Sequence, residues 1–235
     1  MRAPRVTLDE ILDRVARGEA RRDSALQDLA CTAAVRTFHR PPGGTDSRLY
    51  MESVWRVYRK RPERLRTVLL RLSRGPAAKN EKDVDVDFAP DMGERIVDFA
   101  FRPSARRSYR YRIVGRDLVG GHLLYRLAFE PRSVLDAAMP SGLAWVDTNE
   151  FVIVREELGF EHSPVPLFIR RLNGMVIERQ RVQDTWVLKR LLLSVDLTLS
   201  VPTFGRHVEF AVVYDDYAIN RGIDDALFLP AAGRR

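Results

Sequence analysis

The sequence predicts a mainly β protein: a curved antiparallel sheet, or unclosed β-barrel, of about 11 strands with an N-terminal helix packed over its concave face. Three observations predict this fold class. The chain opens with an apolar pattern at helical spacing, and strict apolar alternation replaces it from Leu29 onwards. Short turn signals separate the alternating segments, which favours antiparallel neighbours. No apolar run approaches the ~20 residues that span a bilayer.

The N-terminal helix is predicted to begin just after Thr7. Thr7 can act as the N-cap, and Glu10 three residues later completes a capping box. The apolar stripe that follows at helical spacing consists of Leu8, Ile11, Leu12 and Val15. Gly18 is expected to end this helix, with a second short helical stretch near 20–27.

Strands are predicted over most of the remaining chain, and the first covers 29–36. The others are expected at 48–60, 64–72, 95–102, 108–115, 122–130, 142–148, 151–158, 167–182, 186–201 and 206–217. The stretch 75–94 is rich in proline, glycine and charge, so we expect an irregular excursion there. A single domain is predicted for 7–230, with flexible ends at 1–6 and 231–235.

Several predicted strands carry an apolar row along one face, and such a face must be buried. A small closed barrel fills its interior with side chains, whereas a wider open one can keep a cavity for an apolar ligand. Periodicity does not choose between the two. The candidate cavity-lining residues are Leu8, Ile11, Leu12, Val15, Tyr109, Tyr111, Ile113, Leu123, Tyr125, Leu127, Phe129, Leu191, Leu193, Val195, Leu197, Phe210 and Val212.

The formal net charge of +7 is concentrated in the segment 54–74. Eight basic residues stand there against Glu63, and they predict a surface that contacts an anionic membrane or a protein partner. The candidate contacts are Arg56, Arg59, Lys60, Arg61, Arg64 and Arg66. Lysine occurs only four times in the chain, so an arginine-rich codon bias is the alternative explanation. Nucleic acid is the less favoured partner because no recognition helix is identifiable.

Enzymatic chemistry is poorly supported by the sequence. There is no G-x-S-x-G elbow and no phosphate-binding glycine loop, so neither nucleophilic catalysis nor a nucleotide cofactor is expected. Cys31 and His39 on one strand would lie over ~20 Å apart. The four histidines, at 39, 122, 162 and 207, do not form a zinc motif. We therefore expect no enzyme and no cofactor.

Calcium is the one metal with a partial sequence pattern. The carboxylates follow the spacing of an EF-hand loop, and they are Asp83, Asp85, Asp87, Asp91 and Glu94. Phe88 occupies the position where that loop needs glycine, and Pro90 follows. The favoured alternative is a strand with Val84 and Val86 on one face and carboxylates on the other.

Local motifs resemble the LolA/LolB-like lipoprotein-carrier superfamily, which includes RseB-like sigma-factor regulators. The first is Gly142-Leu143-Ala144-Trp145-Val146-Asp147-Thr148 followed by Val152-Ile153-Val154-Arg155, similar to the family's tryptophan-containing hairpin. The second is Tyr111-Arg112-Ile113-Val114-Gly115 followed by Tyr125-Arg126-Leu127-Ala128-Phe129-Glu130-Pro131, and the third is Tyr217-Ala218-Ile219-Asn220-Arg221-Gly222-Ile223 with Ala226-Leu227-Phe228. Asp184-Thr185-Trp186-Val187-Leu188 is a weaker fourth match.

The resemblance implies an unclosed antiparallel barrel with helices over its mouth and acyl chains held between them. It implies a non-enzymatic carrier for a lipid, an acyl chain or a lipoprotein anchor, in which the N-terminal stripe forms part of the lid. The alternative is a sensor or protein-interaction module with the same fold. The basic segment 54–74 is not a hallmark of the family, and no arginine here is matched to the carriers' gating arginine.

The start of the chain, Met1-Arg2-Ala3-Pro4-Arg5, shows no apolar signal region. Cys31 is not interpreted as a lipid-attachment site, because Asp28 and an arginine-rich stretch precede it. We expect a periplasmic or otherwise extracytoplasmic protein if an export signal has been removed, and a cytoplasmic one if Met1 is native.

Overall fold

The structure is a computed structural model that describes residues 6–75, 99–133, 139–163, 165–201 and 205–229. Within these residues the helix α1 (Leu8–Ala25) precedes ten strands. The strands are β1 (Asp28–Arg40), β2 (Arg48–Lys60), β3 (Arg64–Arg74), β4 (Tyr109–Val119), β5 (His122–Pro131), β6 (Ser141–Asp147), β7 (Ile153–Gly159), β8 (Ile169–Val182), β9 (Thr185–Val201) and β10 (Gly205–Ile219). Short 3₁₀ turns lie at Phe99–Phe101, Arg106–Ser108 and Asp225–Phe228.

All ten strands form one antiparallel sheet in the order β3-β2-β1-β10-β9-β8-β7-β6-β5-β4. Its edges, β3 and β4, do not pair with each other in the described chain, so the sheet is not closed into a barrel. Helix α1 nevertheless contacts both β4 and β9. One buried cluster around α1 includes residues of β2 and of β4, which a flat sheet would hold about 38 Å apart at ~4.8 Å per strand. The helix itself is only about 27 Å long, so the sheet curves around it. The predicted curved, unclosed sheet is confirmed.

The two ends of the sheet differ in their connections. The tight turns after β2, β4, β6 and β8 lie at one end, which we call the turn end. The connections after β1 and β7 lie at the opposite end, which we call the loop end. The face of the sheet that packs against α1 is called the inner face.

Helix α1 begins as the sequence predicts, but it ends later. The Thr7 side chain accepts a hydrogen bond from the Glu10 backbone amide at 3.3 Å, which confirms the N-cap. The prediction that Gly18 ends the helix was wrong, because a single helix continues to Ala25. A Cβ at position 18 would lie 2.3 Å from the carbonyl oxygen of Phe151, so this glycine permits a close approach between helix and sheet.

The core lies between α1 and the inner face. Ile11, Leu12 and Val15 are buried in one large cluster with inner-face residues of most strands. A second, smaller cluster forms on the outer face around Leu124 and Trp186. The strand predicted at 48–60 coincides with β2. The one predicted at 95–102 was wrong over its described part, where the 3₁₀ turn at Phe99–Phe101 replaces it. Among the described residues no helix is long and apolar enough to cross a membrane.

Candidate functional site

Most residues predicted to line a cavity are buried together. The members that belong to the large core cluster are Ile11, Leu12, Val15, Tyr109, Tyr125, Leu127, Phe129, Leu191, Leu193, Val195, Phe210 and Val212. Leu8, Tyr111 and Leu197 are partly buried and pack against that cluster. Ile113 and Leu123 differ from all of these, because they are 40% and 41% exposed. That the whole set bounds an open cavity stays a prediction.

Ile113 and Leu123 belong to an uncovered apolar strip on the inner face. Ile113 pairs with the fully buried Leu127, and Leu123 pairs with Leu118 in the turn-end part of the β4–β5 hairpin. Side chains of directly paired residues lie on the same face. Leu118 is 74% exposed. We call Ile113, Leu118 and Leu123 the apolar strip; it continues the core surface beyond the cover of α1.

Leu118 escaped the sequence analysis because of a β-bulge. The β4–β5 register shifts between Ile113 and Gly115 on β4, so Val114 has no partner on β5. An extra residue reverses the alternation, which turns Leu118 to the same face as Ile113. Gly115 after a run of alternating residues was the available signal, since glycine inside a strand often marks a bulge.

An exposed cation lies within the apolar strip, between Ile113 and the Leu118–Leu123 pair. The guanidinium of Arg116 lies 5.1 Å from the centre of the Tyr125 ring. The Tyr125 ring in turn neighbours the Phe151 ring, with 6.4 Å between centroids, and Arg14 of α1 lies 5.1 Å from the Phe151 ring centre. Cation–π contacts of this kind are weak when exposed. Arg116 can therefore turn toward an acidic group without a large loss.

The helix is fastened to the sheet by a buried ion pair. Nη1 of Arg179 on β8 donates hydrogen bonds to both carboxylate oxygens of Glu19, at 2.8 and 2.9 Å, and to the carbonyl of Ile153 at 2.9 Å. The Ile153 amide donates to Glu19 at 2.7 Å. Nearby, Nε of Arg22 donates to the Trp186 carbonyl at 2.8 Å. These contacts hold the second half of α1 against β7, β8 and β9.

Aromatic residues close the inner face near the loop end. Phe101 packs edge-on to Phe129 at 5.3 Å between ring centroids, and Tyr109 lies 5.9 Å from the same ring. The Tyr111 hydroxyl donates a hydrogen bond to the Ala100 carbonyl. Burial raises the pKa of Tyr111 to about 12, although the charges of Arg106 and Arg132 partly oppose that shift. This end of the apolar surface is therefore filled by protein side chains.

Two surface pockets lie outside the predicted apolar set. One, of about 260 Å³, lies between the second half of α1 and the turns after β6 and β8, and its lining includes Arg22, Glu150 and Trp186. The other, of about 390 Å³, lies at the loop end, and its lining includes Arg40, Arg170, Asp196, Arg206 and His207. Neither pocket is lined by a residue of the predicted cavity.

His207 bridges two carboxylates beside the second pocket. Its Nδ1 lies 2.9 Å from Asp196, and its Nε2 lies 2.9 Å from Glu209. Burial raises the pKa of Asp196, but hydrogen bonds from His207 and Asn173 and the charges of His207 and Arg171 outweigh it, so the pKa is lowered. Asp196 is thus held ionised and already paired.

The basic β2–β3 hairpin uses much of its charge internally. Arg56 pairs with Asp216, and Asp225 accepts from Lys60 at 2.6 Å and from Arg64 at 2.7 Å. Arg66 donates to the Leu227 carbonyl. Arg59 and Arg61 are exposed. The hairpin therefore anchors the C-terminal 3₁₀ segment, and its role as an anionic-surface contact stays a prediction.

The remaining candidate groups do not converge. Cys31 and His39 are both buried on β1, and the His39 ring packs against Tyr50 at 5.6 Å between centroids. Within the described residues no group of three or more His, Cys, Asp or Glu side chains could hold a metal ion. The candidate calcium residues, Asp83, Asp85, Asp87, Asp91 and Glu94, lie outside the described residues.

Comparison with known proteins gives structural matches alone. No protein-family model matches the chain, and no curated protein matches it. Three similar solved structures come from Desulfovibrio piger, Vibrio parahaemolyticus and Nitrosomonas europaea. The first is a DUF1329 family protein with 14% identity, covering 94% of this chain and 97% of that one, at a TM-score of 0.45.

The second structure is an outer membrane lipoprotein-sorting protein domain with 13% identity, covering 92% of this chain and 95% of that one, at a TM-score of 0.44. The third is a LolA superfamily protein with 15% identity, covering 96% of this chain and 99% of that one, at a TM-score of 0.43. The second and third structures carry names from the superfamily that the sequence motifs resemble. At these identities and TM-scores, the matches say nothing about the ligand of the present chain.

Proposed function

We propose that this protein is a non-enzymatic binding protein that holds an acyl chain, or a similar apolar ligand, against its inner face. The apolar strip of Ile113, Leu118 and Leu123 carries the proposal. These side chains lie on the face that elsewhere forms the core, yet they are 40%, 74% and 41% exposed. An apolar ligand laid along them would extend the core surface and exclude water from it.

The energetics favour an unbranched apolar ligand. Covering apolar surface is worth about 25 cal/mol per Å², and each buried methylene contributes about 0.8 kcal/mol. A chain segment of a few methylenes on the strip would therefore give measurable binding. Arg116, 5.1 Å from the Tyr125 ring beside the strip, could meet a carboxylate or phosphate at the head of such a ligand.

Binding need not displace the helix. The Glu19–Arg179 pair and the close contact of Gly18 with Phe151 fasten the second half of α1 to the sheet. The strip lies on the β4–β5 hairpin, at the edge of the sheet, and is already open to solvent. The ligand would enter from this edge, with α1 as one fixed wall.

A protein partner is the second candidate, and the position of β4 favours it. β4 is an edge strand, and in the described chain only β5 pairs with it. A partner segment in extended conformation could add to this edge and place alternate apolar side chains on the strip. The same surface would then serve a regulator or interaction module in place of a lipid carrier.

The experiment is palmitate uptake by matched leucine variants, measured by native mass spectrometry and by titration. Leu123 and Leu192 are 41% and 37% exposed but lie on the inner and outer faces respectively. We expect Leu123→Ser to weaken uptake about ten-fold, which corresponds to about 1.4 kcal/mol of lost apolar contact. Leu192→Ser should leave uptake unchanged.

Two results would overturn the acyl-chain proposal. One is wild-type protein that takes up no palmitate, and the other is equal uptake by both variants. A different result would support the interaction module in place of the carrier. In that case palmitate would not bind, whereas a peptide in extended conformation would bind the wild-type protein and would not bind the Leu123→Ser variant.

A further inference from the structure

A second exposed apolar group lies at the loop end, far from the apolar strip. Leu167, Phe168 and Leu199 are 75%, 70% and 77% exposed, and Val165 beside them is also exposed. The sequence predicts a strand that includes residues 167 and 168, but β8 begins at Ile169. We call Val165, Leu167, Phe168 and Leu199 the apolar tip.

The apolar tip is held in place by its backbone. The amides of Phe168 and Ile169 both donate to the Val165 carbonyl, at 3.1 and 3.0 Å, which forms a turn. Thr198 on β9 donates its amide to the Phe168 carbonyl at 2.9 Å and its hydroxyl to the Pro166 carbonyl at 2.8 Å. Ile169 packs on the core. The tip therefore exposes Leu167 and Phe168 on a fixed turn, beside Leu199 on β9.

Basic residues surround the tip. Arg170 directly follows it, and Arg170, Arg206 and Arg40 line the 390 Å³ pocket at the same end of the sheet. Asp196 lines that pocket, and Glu209 lies beside it. Both are bridged by His207, and Glu209 also lies 3.9 Å from Arg40. In the described chain neither Arg170 nor Arg206 forms an ion pair.

We propose that the apolar tip and its arginines dock the protein on an anionic lipid surface. Leucine and phenylalanine side chains on a protruding turn can enter the boundary between headgroups and acyl chains, while arginines set behind them stay with the lipid phosphates. A protein partner fits less well, because three side chains on one turn and one on the neighbouring strand β9 fall far short of the ~800 Å² that a stable interface buries on each side.

This surface differs from the one that the net charge suggested. The basic β2–β3 hairpin lies at the turn end, and its Arg56, Lys60 and Arg64 are paired with Asp216 and Asp225. Arg170 and Arg206 at the loop end have no such partners among the described residues. The proposal stands on different residues from the acyl-chain site and does not depend on it.

The test is co-sedimentation with vesicles of phosphatidylcholine mixed with phosphatidylglycerol, and with vesicles of phosphatidylcholine alone. Wild-type protein should bind the mixed vesicles, with affinity that falls as salt is added. Leu167→Ser combined with Phe168→Ser should weaken binding about ten-fold or more, and Arg170→Glu combined with Arg206→Glu should abolish the preference for the mixed vesicles. Leu70→Ser is the matched control, since Leu70 is exposed on the basic hairpin.

The outcomes separate the alternatives. The proposal is overturned if wild-type protein does not bind mixed vesicles, or if the tip variants bind like wild type. Loss of binding in Leu70→Ser alone would transfer the membrane contact to the β2–β3 hairpin. Near-ultraviolet circular dichroism checks that each variant is folded. Palmitate uptake without vesicles should be unchanged in the tip variants, so the two proposals fail independently.

Discussion

Glu19 and Arg179 are 160 positions apart in the sequence, and their side chains meet in a buried ion pair between α1 and β8. Their side chains are only 5% and 2% exposed. The pair also satisfies both the amide and the carbonyl of Ile153 at the start of β7. One ion pair thus fixes the helix to two neighbouring strands and sets the wall beside which the apolar strip lies open.

Removing one partner of this pair should be severely destabilising. Glu19→Gln would leave the Arg179 guanidinium buried without a counter-charge, which typically costs about 3–5 kcal/mol. Urea unfolding followed by circular dichroism would measure the loss. Glu52→Gln is the control: Glu52 pairs with Arg36 at 3.0 Å, but the Arg36 side chain is 61% exposed. That loss should stay within ~1 kcal/mol, and an equal loss in both variants would contradict the argument.

Replacing both partners should restore part of the stability that a single replacement removes. Nε of Arg179 is buried and finds no hydrogen-bond partner in the described part of the chain, so the pair is not fully satisfied. For such pairs, apolar residues of similar volume are often neutral or stabilising. The Ile153 amide and carbonyl would both lose a hydrogen-bond partner in such a variant. We therefore expect Glu19→Leu with Arg179→Met to unfold at a urea concentration between those of Glu19→Gln and wild type. A double variant as unstable as Glu19→Gln would show that the pair contributes net stability.

Gly18→Ala should destabilise the protein although alanine is the better helix former. In an exposed helix the change would gain about 1 kcal/mol. Here the added Cβ would lie 2.3 Å from the Phe151 carbonyl oxygen and 2.6 Å from that of Glu150. The helix would have to move away from the turn after β6. Gly174→Ala is the control, since a Cβ there meets nothing within 4 Å. A thermal melt in which Gly18→Ala gains stability would contradict the close contact.

Local patterns predicted much of the fold because they depend on residues near each other in the chain. The Thr7 cap, the stripe of Ile11, Leu12 and Val15, and the strand 48–60 all follow from spacing within one element. Alternation on β9 and β10 likewise placed Leu191 and Val212 in the core. Each of these features is visible in a window of a few residues.

What the sequence did not reveal depends on contacts between distant elements. Gly18 alone suggests the end of a helix, and only its close contact with Phe151, which is distant in the sequence, explains why a glycine stands there. Glu19 and Arg179 look like ordinary surface charges when each is taken alone. Leu118 was missed because one bulged residue on β4 moves the later residues of that strand to the opposite face of the sheet from the one that alternation predicts. The strip and the buried pair are therefore properties of the assembled sheet.

Asp225→Asn should loosen the C-terminal segment. Asp225 accepts from Lys60 and Arg64, and those hydrogen bonds and charges hold the pKa of its carboxyl below the usual value. The neutral side chain would attract both cations less, so the 3₁₀ turn at Asp225–Phe228 should open more often. Hydrogen exchange at the amides of 226–228 would then be faster. Asp184→Asn, at an exposed pair with Arg181, should leave those amides unchanged.

The same contact has a defined pH dependence. Because the folded-state pKa of Asp225 is lowered, its contribution is present above the carboxyl's unfolded value of about 3.9 and is lost as the pH falls through the folded-state pKa. Hydrogen exchange of the segment in the wild type should therefore approach that of Asp225→Asn only in acid. Identical exchange in both proteins near neutral pH would show that Arg66, bonded to the Leu227 carbonyl, holds the segment unaided.

Tyr111 should make stability fall in alkaline solution. Burial raises its pKa to about 12, while the unfolded phenol titrates near 10. The neutral form is thus favoured by folding, so its contribution is fully present below pH ~10 and is lost as the pH rises through about 12. In Tyr111→Phe the hydrogen bond to Ala100 is absent and this loss should disappear. Urea unfolding at a series of alkaline pH values would measure both proteins, and equal slopes would show that Tyr111 does not remain buried there.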